Sequence, residues 1–155
     1  VLHYHTDNKY STYSFLKRGS DERQYNAPGV DLPVVGFCRS KFGEYPEYHT
    51  SADDLSLVSP EGLQGAYDVM KQVIDVLEMN LCYQVQVLCE PQLGKRGLYP
   101  TTSQKGSYDK VKAMTDFIAY ADGKTDLIDI SNKILVPIDE LIRVVKKLKA
   151  NNVIK

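Results

Sequence analysis

The clearest pattern in the chain is helical. Leu63, Ala66, Tyr67, Met70, Val73, Ile74 and Leu77 recur at three- and four-residue spacing and form one apolar stripe. Ser59 before Pro60 gives that helix an N-cap and a proline at its first position, and Asn80 is its stop. The rhythm then changes. In LCYQVQVLC, Leu81, Tyr83, Val85 and Val87 face one way and Gln84 and Gln86 the other, which predicts a half-buried strand. LPVVGFC, residues 32–38, is a continuous apolar run and predicts a buried strand. It follows NAPGVD, where Pro28 and Gly29 suit the middle of a type II turn. VLHYH at the start reads as a strand or the end of one, and residues 20–24 as a short helical turn capped by Ser20.

Beyond residue 106 the pattern is helical again. Helices are predicted over 108–120, 127–135 and 138–151, the last opened by Pro137 and striped by Leu141, Val144, Val145 and Leu148. The closing VIK looks like the first strand of an unfinished hairpin. Three helices, a short turn between the second and third, and a strand make a winged helix-turn-helix pattern. Between the two halves, EPQLGKRGLYPTTSQKGS is rich in Gly, Pro, Ser and Thr, which places the domain boundary at 100–106. The expected domains are therefore 1–100 and 106–155.

Composition adds bounds. The 155 residues are 43% hydrophobic and 25% charged, which is globular rather than disordered. A net charge of −1 gives no global attraction to nucleic acid, and no apolar run approaches a membrane span. Cys38, Cys82 and Cys89 are odd in number and form no CxxC pair. They read as buried free thiols of a cytoplasmic protein.

The chemistry centres on EYPEYHTSADD, a long loop carrying His49. Catalytic zinc sites combine histidine and carboxylate ligands with an open position for water, and such ligands sit on loops at strand ends. His49 follows the 32–38 strand by one loop, and Asp21 and Glu22 precede it by another. In a parallel sheet these loops would converge and gather Asp21, Glu22 and His49 in one cleft. Residue type alone leaves a second reading open. A lone loop histidine is more often structural, and Asp53 and Asp54 fit turn formation. Asp21 and Glu22 fit a helix N-terminus with Lys17 and Arg23 as surface partners. His3 and His5 form an HxH pair that reads as structural.

SDERQYNAPGVDLPVVGFC, followed by EYPEYHTSADD and a helix, resembles the closing segment of co-catalytic zinc aminopeptidases. RGSDERQY, PGVDLPVVGF, EYPEYHTSADDL and EPQLGKRGLYP are similar to a bacterial subgroup described as aminopeptidase-like, often linked to polysaccharide biosynthesis, with a C-terminal winged helix. The resemblance covers nearly the whole chain. It implies an α/β class: part of an aminopeptidase-like α/β/α domain, then a small α-rich winged helix-turn-helix domain. It implies a zinc-dependent hydrolase acting on a peptide or amide-type small substrate, with His49 as the last zinc ligand. Asp21 matches a position lining the active site. Glu22 stands where a histidine often follows that Asp, so its role is open between metal, substrate amine and support. Asp21 and Asp53 are candidates to hold the second nitrogen of His49.

The family's bridging Asp and general-base Glu find no match in 1–155. The chain is therefore expected to be the C-terminal part of a longer parent, inactive and without zinc by itself. Lys95, Arg96 and Tyr99 are expected either to bind a substrate carboxylate or phosphate or to lie in an exposed linker. In the last helix Arg143, Lys146 and Lys147 are the candidate nucleic-acid contacts, yet Asp139 and Glu140 occupy the turn from which base contacts come. Two other functions stand beside the hydrolase: a nucleic-acid-binding regulator, and a non-catalytic scaffold. Assembly as a homo-oligomer is also expected.

Overall fold

The computed structural model describes residues 1–99 and 107–155, so the boundary expected at 100–106 lies outside the described residues. The chain forms two units, Leu2–Lys71 and Gln72–Lys155, with Val1 belonging to the second.

The second unit holds the core. Helices α4 (Ser107–Tyr120), α5 (Leu127–Ile134) and α6 (Ile138–Ala150) pack on one another, as their periodicity requires. Phe117, Leu127, Ile130, Leu141, Val145 and Leu148 are fully buried between them. Asp126 caps α5 by accepting a hydrogen bond from the Asp129 N–H at 2.9 Å. Leu135 ends the helix in the left-handed region at φ 56°, and Ser131 Oγ closes the turn by donating to the Val136 carbonyl at 2.7 Å. An Asp126→Ala substitution is expected to cost about 1 kcal/mol, the usual worth of an N-cap, read as a shift in the denaturation midpoint. No change in midpoint would show that the cap is dispensable.

The sheet of this unit is assembled from distant pieces. β1 (Cys82–Gln84) pairs antiparallel with β2 (Asp122–Asp126), with an irregularity in the register. On its other side the same segment meets the end of the chain. Val85 bridges Ile154, Gln84 and Lys155 exchange hydrogen bonds at 3.2 and 3.0 Å, and the Gln86 N–H donates to Val153 at 2.9 Å. The closing VIK thus pairs with the segment that begins at β1. The central position of the sheet is filled by a strand that precedes α4 in sequence. Tyr83 points from β1 into the core, 1% exposed, 6.1 Å from the Phe117 ring, and donates its hydroxyl to the Met79 carbonyl at 2.9 Å.

The first unit is loop-rich. α1 (Leu2–His5) is one helical turn, so the strand expected of VLHYH does not form. Its backbone is satisfied locally, with the Thr6 N–H donating to Leu2. A 3-10 turn (Phe15–Lys17) and α2 (Glu22–Tyr25) follow, and Asp21 rather than Ser20 occupies the N-cap position of α2. Pro28 and Gly29, the latter at φ 89°, make the expected turn, closed from Val30 N–H to the Ala27 carbonyl. Residues 32–38 are not a strand, because no partner strand lies beside them among the described residues. Val35 is 86% exposed.

α3 (Pro60–Met79) forms as predicted, and Ser59 Oγ accepts from the Gly62 N–H at 3.0 Å. Its stripe is not core, however. Leu63, Tyr67, Met70, Ile74 and Leu77 are exposed, and burial falls instead on Val69 and Val76. The three cysteines are likewise exposed rather than buried.

Candidate functional site

The loops on either side of residues 32–38 are held together by aromatic packing in the first unit. Glu22 accepts hydrogen bonds from the N–H groups of Gly19 at 2.9 Å and Ser20 at 3.3 Å. The Phe42 ring lies so close against Gly19 that a Cβ there would collide with it. Phe42 meets the Tyr48 ring at 6.2 Å, and Tyr48 stacks on His49 at 4.0 Å with the planes 16° apart. A continuous set of contacts therefore runs from the Glu22 carboxylate to the His49 imidazole. Tyr45 packs edge-on to Tyr48 at 5.6 Å. Tyr13 donates to Glu44 at 2.7 Å, with Lys41 over the Tyr13 and Phe42 rings. Gly19, Phe42 and Tyr48 were not among the candidates read from sequence. The density of aromatics in this long loop was the available signal.

The electrostatics follow from these contacts. The Gly19 and Ser20 N–H groups hold the Glu22 carboxyl below the usual glutamate range. Glu22 therefore stabilises the loop while ionised. Because its folded value is depressed, that contribution is present above the unfolded value and is lost as the pH falls through the folded one. A carboxyl titration followed by NMR is expected to place Glu22 below a glutamate in an unstructured peptide, and an ordinary value would show that the Gly19 contact does not persist. Tyr13 is raised, first by its hydrogen bond to Glu44. Tyr45 is raised by burial and then by the charge of Asp53.

His49 sits at φ 61°, in the left-handed region, and its ring is exposed on the face away from Tyr48. Among the described residues neither ring nitrogen has a hydrogen-bond partner, so Asp21 and Asp53 do not hold it here. Asp21 occupies the N-cap position of α2 without a side-chain cap bond. The charge of Asp53 acts on Tyr45, and Asp54 accepts from the Ser56 N–H at 2.8 Å as a turn former. Among the described residues no three His, Cys, Asp or Glu side chains come together to hold a metal ion. This loop supplies one exposed imidazole, that of His49, and a zinc site needs further ligands.

The other candidates lie in the second unit. Lys95 and Arg96 end a 3-10 turn (Gly94–Arg96) closed by Gly97 at φ 66°. Leu93 and Leu98 on either side are buried in the core, and Tyr99 is exposed. The Arg96 Nε is buried without a partner. On α6, Arg143 pairs with Asp139 at 3.1 Å, and the Lys149 ammonium lies over the Tyr83 ring at 5.4 Å. Lys146 and Lys147 are exposed. No helix among the described residues is long and apolar enough to cross a membrane.

The chain belongs to the family described as a domain of unknown function, DUF4910, whose model matches residues 1–80. Residues 80–155 match the model described as winged helix-turn-helix, as the three-helix pattern implied. One curated relative, from Clostridium acetobutylicum, is named as a candidate polysaccharide biosynthesis protein with an aminopeptidase-like domain. It is 40% identical over 131 residues, covering 83% of this chain and 30% of the relative. The crystal structure of a candidate peptidase from Clostridium acetobutylicum has a TM-score of 0.76 at 34% identity, covering 89% of this chain and 30% of that one. The chain thus spans under a third of the length of the proteins it matches. The resemblance to a bacterial aminopeptidase-like protein with a C-terminal winged helix, and the α/β class it implied, are borne out.

Proposed function

We propose that this chain is part of a zinc-dependent aminopeptidase- or amidohydrolase-like protein of polysaccharide biosynthesis, working in the cytoplasm. His49 supplies one ligand to a centre completed by donors outside residues 1–155. The observation that carries this reading is the His49 ring itself. It is exposed on a left-handed loop, braced on one face by Tyr48, with both nitrogens unengaged by the described residues. A metal ligand needs a positioned imidazole with a nitrogen to give.

Glu22 and Asp21, on the loop joined to His49 through Phe42, line the substrate side, where a carboxylate would receive the free amine of a peptide or amide-type substrate. By itself the chain supplies too few ligands to retain zinc or turn over substrate. The winged helix serves assembly rather than DNA. Its α6 opens on Asp139 and Glu140, Arg143 is tied to Asp139, and Lys149 lies over Tyr83. Lys95, Arg96 and Tyr99 form a structural turn in this reading. The test is zinc content and hydrolysis of aminoacyl amides by the full-length polypeptide. Stoichiometric zinc and turnover are expected. A metal-free, inactive polypeptide that binds DNA with steep salt dependence would replace this reading with the regulator.

A further inference from the structure

We infer that the winged helix-turn-helix unit assembles head to tail: Lys146 and Lys147, near the end of α6 in one copy, sit in an apolar cleft rimmed by Glu90, Asp116 and Asp122 of a second copy. The cleft lies wholly within the second unit, between the residues that follow β1 and the C-terminal half of α4, and has a volume of about 350 Å³. That is the lower end of the range for ligand sites, with room for side chains and not for a helix. Val85, Val87 and Ile118 supply its apolar lining. All of these residues fall inside the region matched as winged helix-turn-helix, so the cleft does not depend on the aminopeptidase-like half.

The rim is acidic. Asp116 pairs with Lys112 on α4. Asp122 accepts from the N–H groups of Thr125 and Lys124, each at 2.8 Å, and they hold its carboxyl below the usual aspartate range. Glu90 is exposed, and among the described residues neither it nor Asp122 has an ion-pair partner. No lysine or arginine among the described residues lines the cleft. Two carboxylates without a cation, beside an apolar lining, fit a lysine. Its methylene stem lies along Val85, Val87 and Ile118, and its ammonium reaches the rim.

The occupant is argued from charge complementarity within the same unit. Lys146 and Lys147 are adjacent and exposed, and neither has an ion-pair partner among the described residues. The other cations of α6 are engaged, Arg143 with Asp139 and Lys149 over the Tyr83 ring. No residue of α6 lines the cleft, so this lysine pair enters it from a second copy. The two surfaces are different patches of one chain. The contact is therefore heterologous, and copies add in a ring or a row. The inference rests on the reading of the winged helix as an assembly module and not on zinc.

The test is sedimentation of the full-length polypeptide over a range of concentration and salt. Ala119 is exposed on α4 and lines the cleft, so Ala119→Arg fills it from within its own chain and leaves the lysines in place. Lys146→Glu combined with Lys147→Glu removes the cations and leaves the cleft open. Each variant alone is expected to associate at least about tenfold more weakly than wild type, and wild-type association should weaken as salt rises. An equimolar mixture of the two should recover a dimer, because the lysines of one meet the open cleft of the other. Glu90→Lys, at an exposed position outside helix and strand, replaces Ala119→Arg if that variant has a lowered unfolding midpoint. Variants that associate as wild type does, or a mixture no more associated than its components, would overturn this contact and leave assembly to another surface. A wild-type polypeptide that stays monomeric throughout would overturn both the contact and the assembly reading.

Discussion

Replacing Phe117 by alanine is expected to destabilise the second unit by about 4 kcal/mol, the ordinary cost of deleting a fully buried phenylalanine. Phe117 lies on the inner face of α4 with no exposed surface, against Tyr83 from β1 and among the side chains of α5 and α6. Its ring is shared by elements that are far apart in sequence, and the gap cannot close by a local shift. A domain of this size commonly has roughly 5–10 kcal/mol of stability in total. The variant should therefore lose a large share of it. Denaturant unfolding, followed by amide signals from α4 to α6 so that the first unit does not contribute, measures the effect. Leu135→Ala is the control: that side chain is 84% exposed, and its loss should cost within about 0.5 kcal/mol. A Phe117→Ala penalty below about 1 kcal/mol would mean that the three-helix core is not packed as described.

The different fates of the two halves explain what sequence could disclose. Helices α4, α5 and α6 were legible because their stripes bury against one another, a few tens of residues apart. Periodicity and the opening Pro137 point to the same elements that the structure forms. The first unit behaves otherwise. The apolar run at 32–38 and the stripe on α3 report a requirement for burial, and a pattern carries no information about whether the partner lies within the same 155 residues. Val35 and Leu63 are the residues where the requirement goes unmet. Cys38, read as a buried free thiol, ends that same segment and is exposed with it.

Two features were beyond pattern reading for another reason. The central position of β1 depends on pairing with both Asp122–Asp126 and the last three residues, and sequence separation hides such non-local ladders. The link from Glu22 to His49 runs through Gly19 and Phe42. Its key contact is a ring resting on a backbone that has no side chain to announce it. The loops on either side of residues 32–38 touch through Phe42 and Gly19, although the segment between them is not paired as a strand and the parallel sheet expected to gather them is not present among the described residues.

In the full-length polypeptide, His49→Ala is expected to remove bound zinc and lower hydrolysis of aminoacyl amides at least about 100-fold. Even substitutions outside the ligand set typically cost 10–100-fold, and loss of a ligand itself should exceed them. The expectation is specific because of how His49 is held. Its φ of 61° costs energy for a residue with a side chain, and the Tyr48 ring fixes one face of the imidazole. Alanine keeps the backbone strain and removes only the ring, so the fold of the loop should survive. Glu22 reports on that survival, since its depressed titration depends on the Gly19 and Ser20 N–H groups and not on His49. A His3→Ala variant, at a histidine on α1, should keep both zinc and turnover. If His49→Ala retains its zinc while Glu22 titrates as before, the loop is intact and the imidazole is not a ligand. The aromatic brace around it would then be a structural feature of the loop, and the case for function would move to the winged helix.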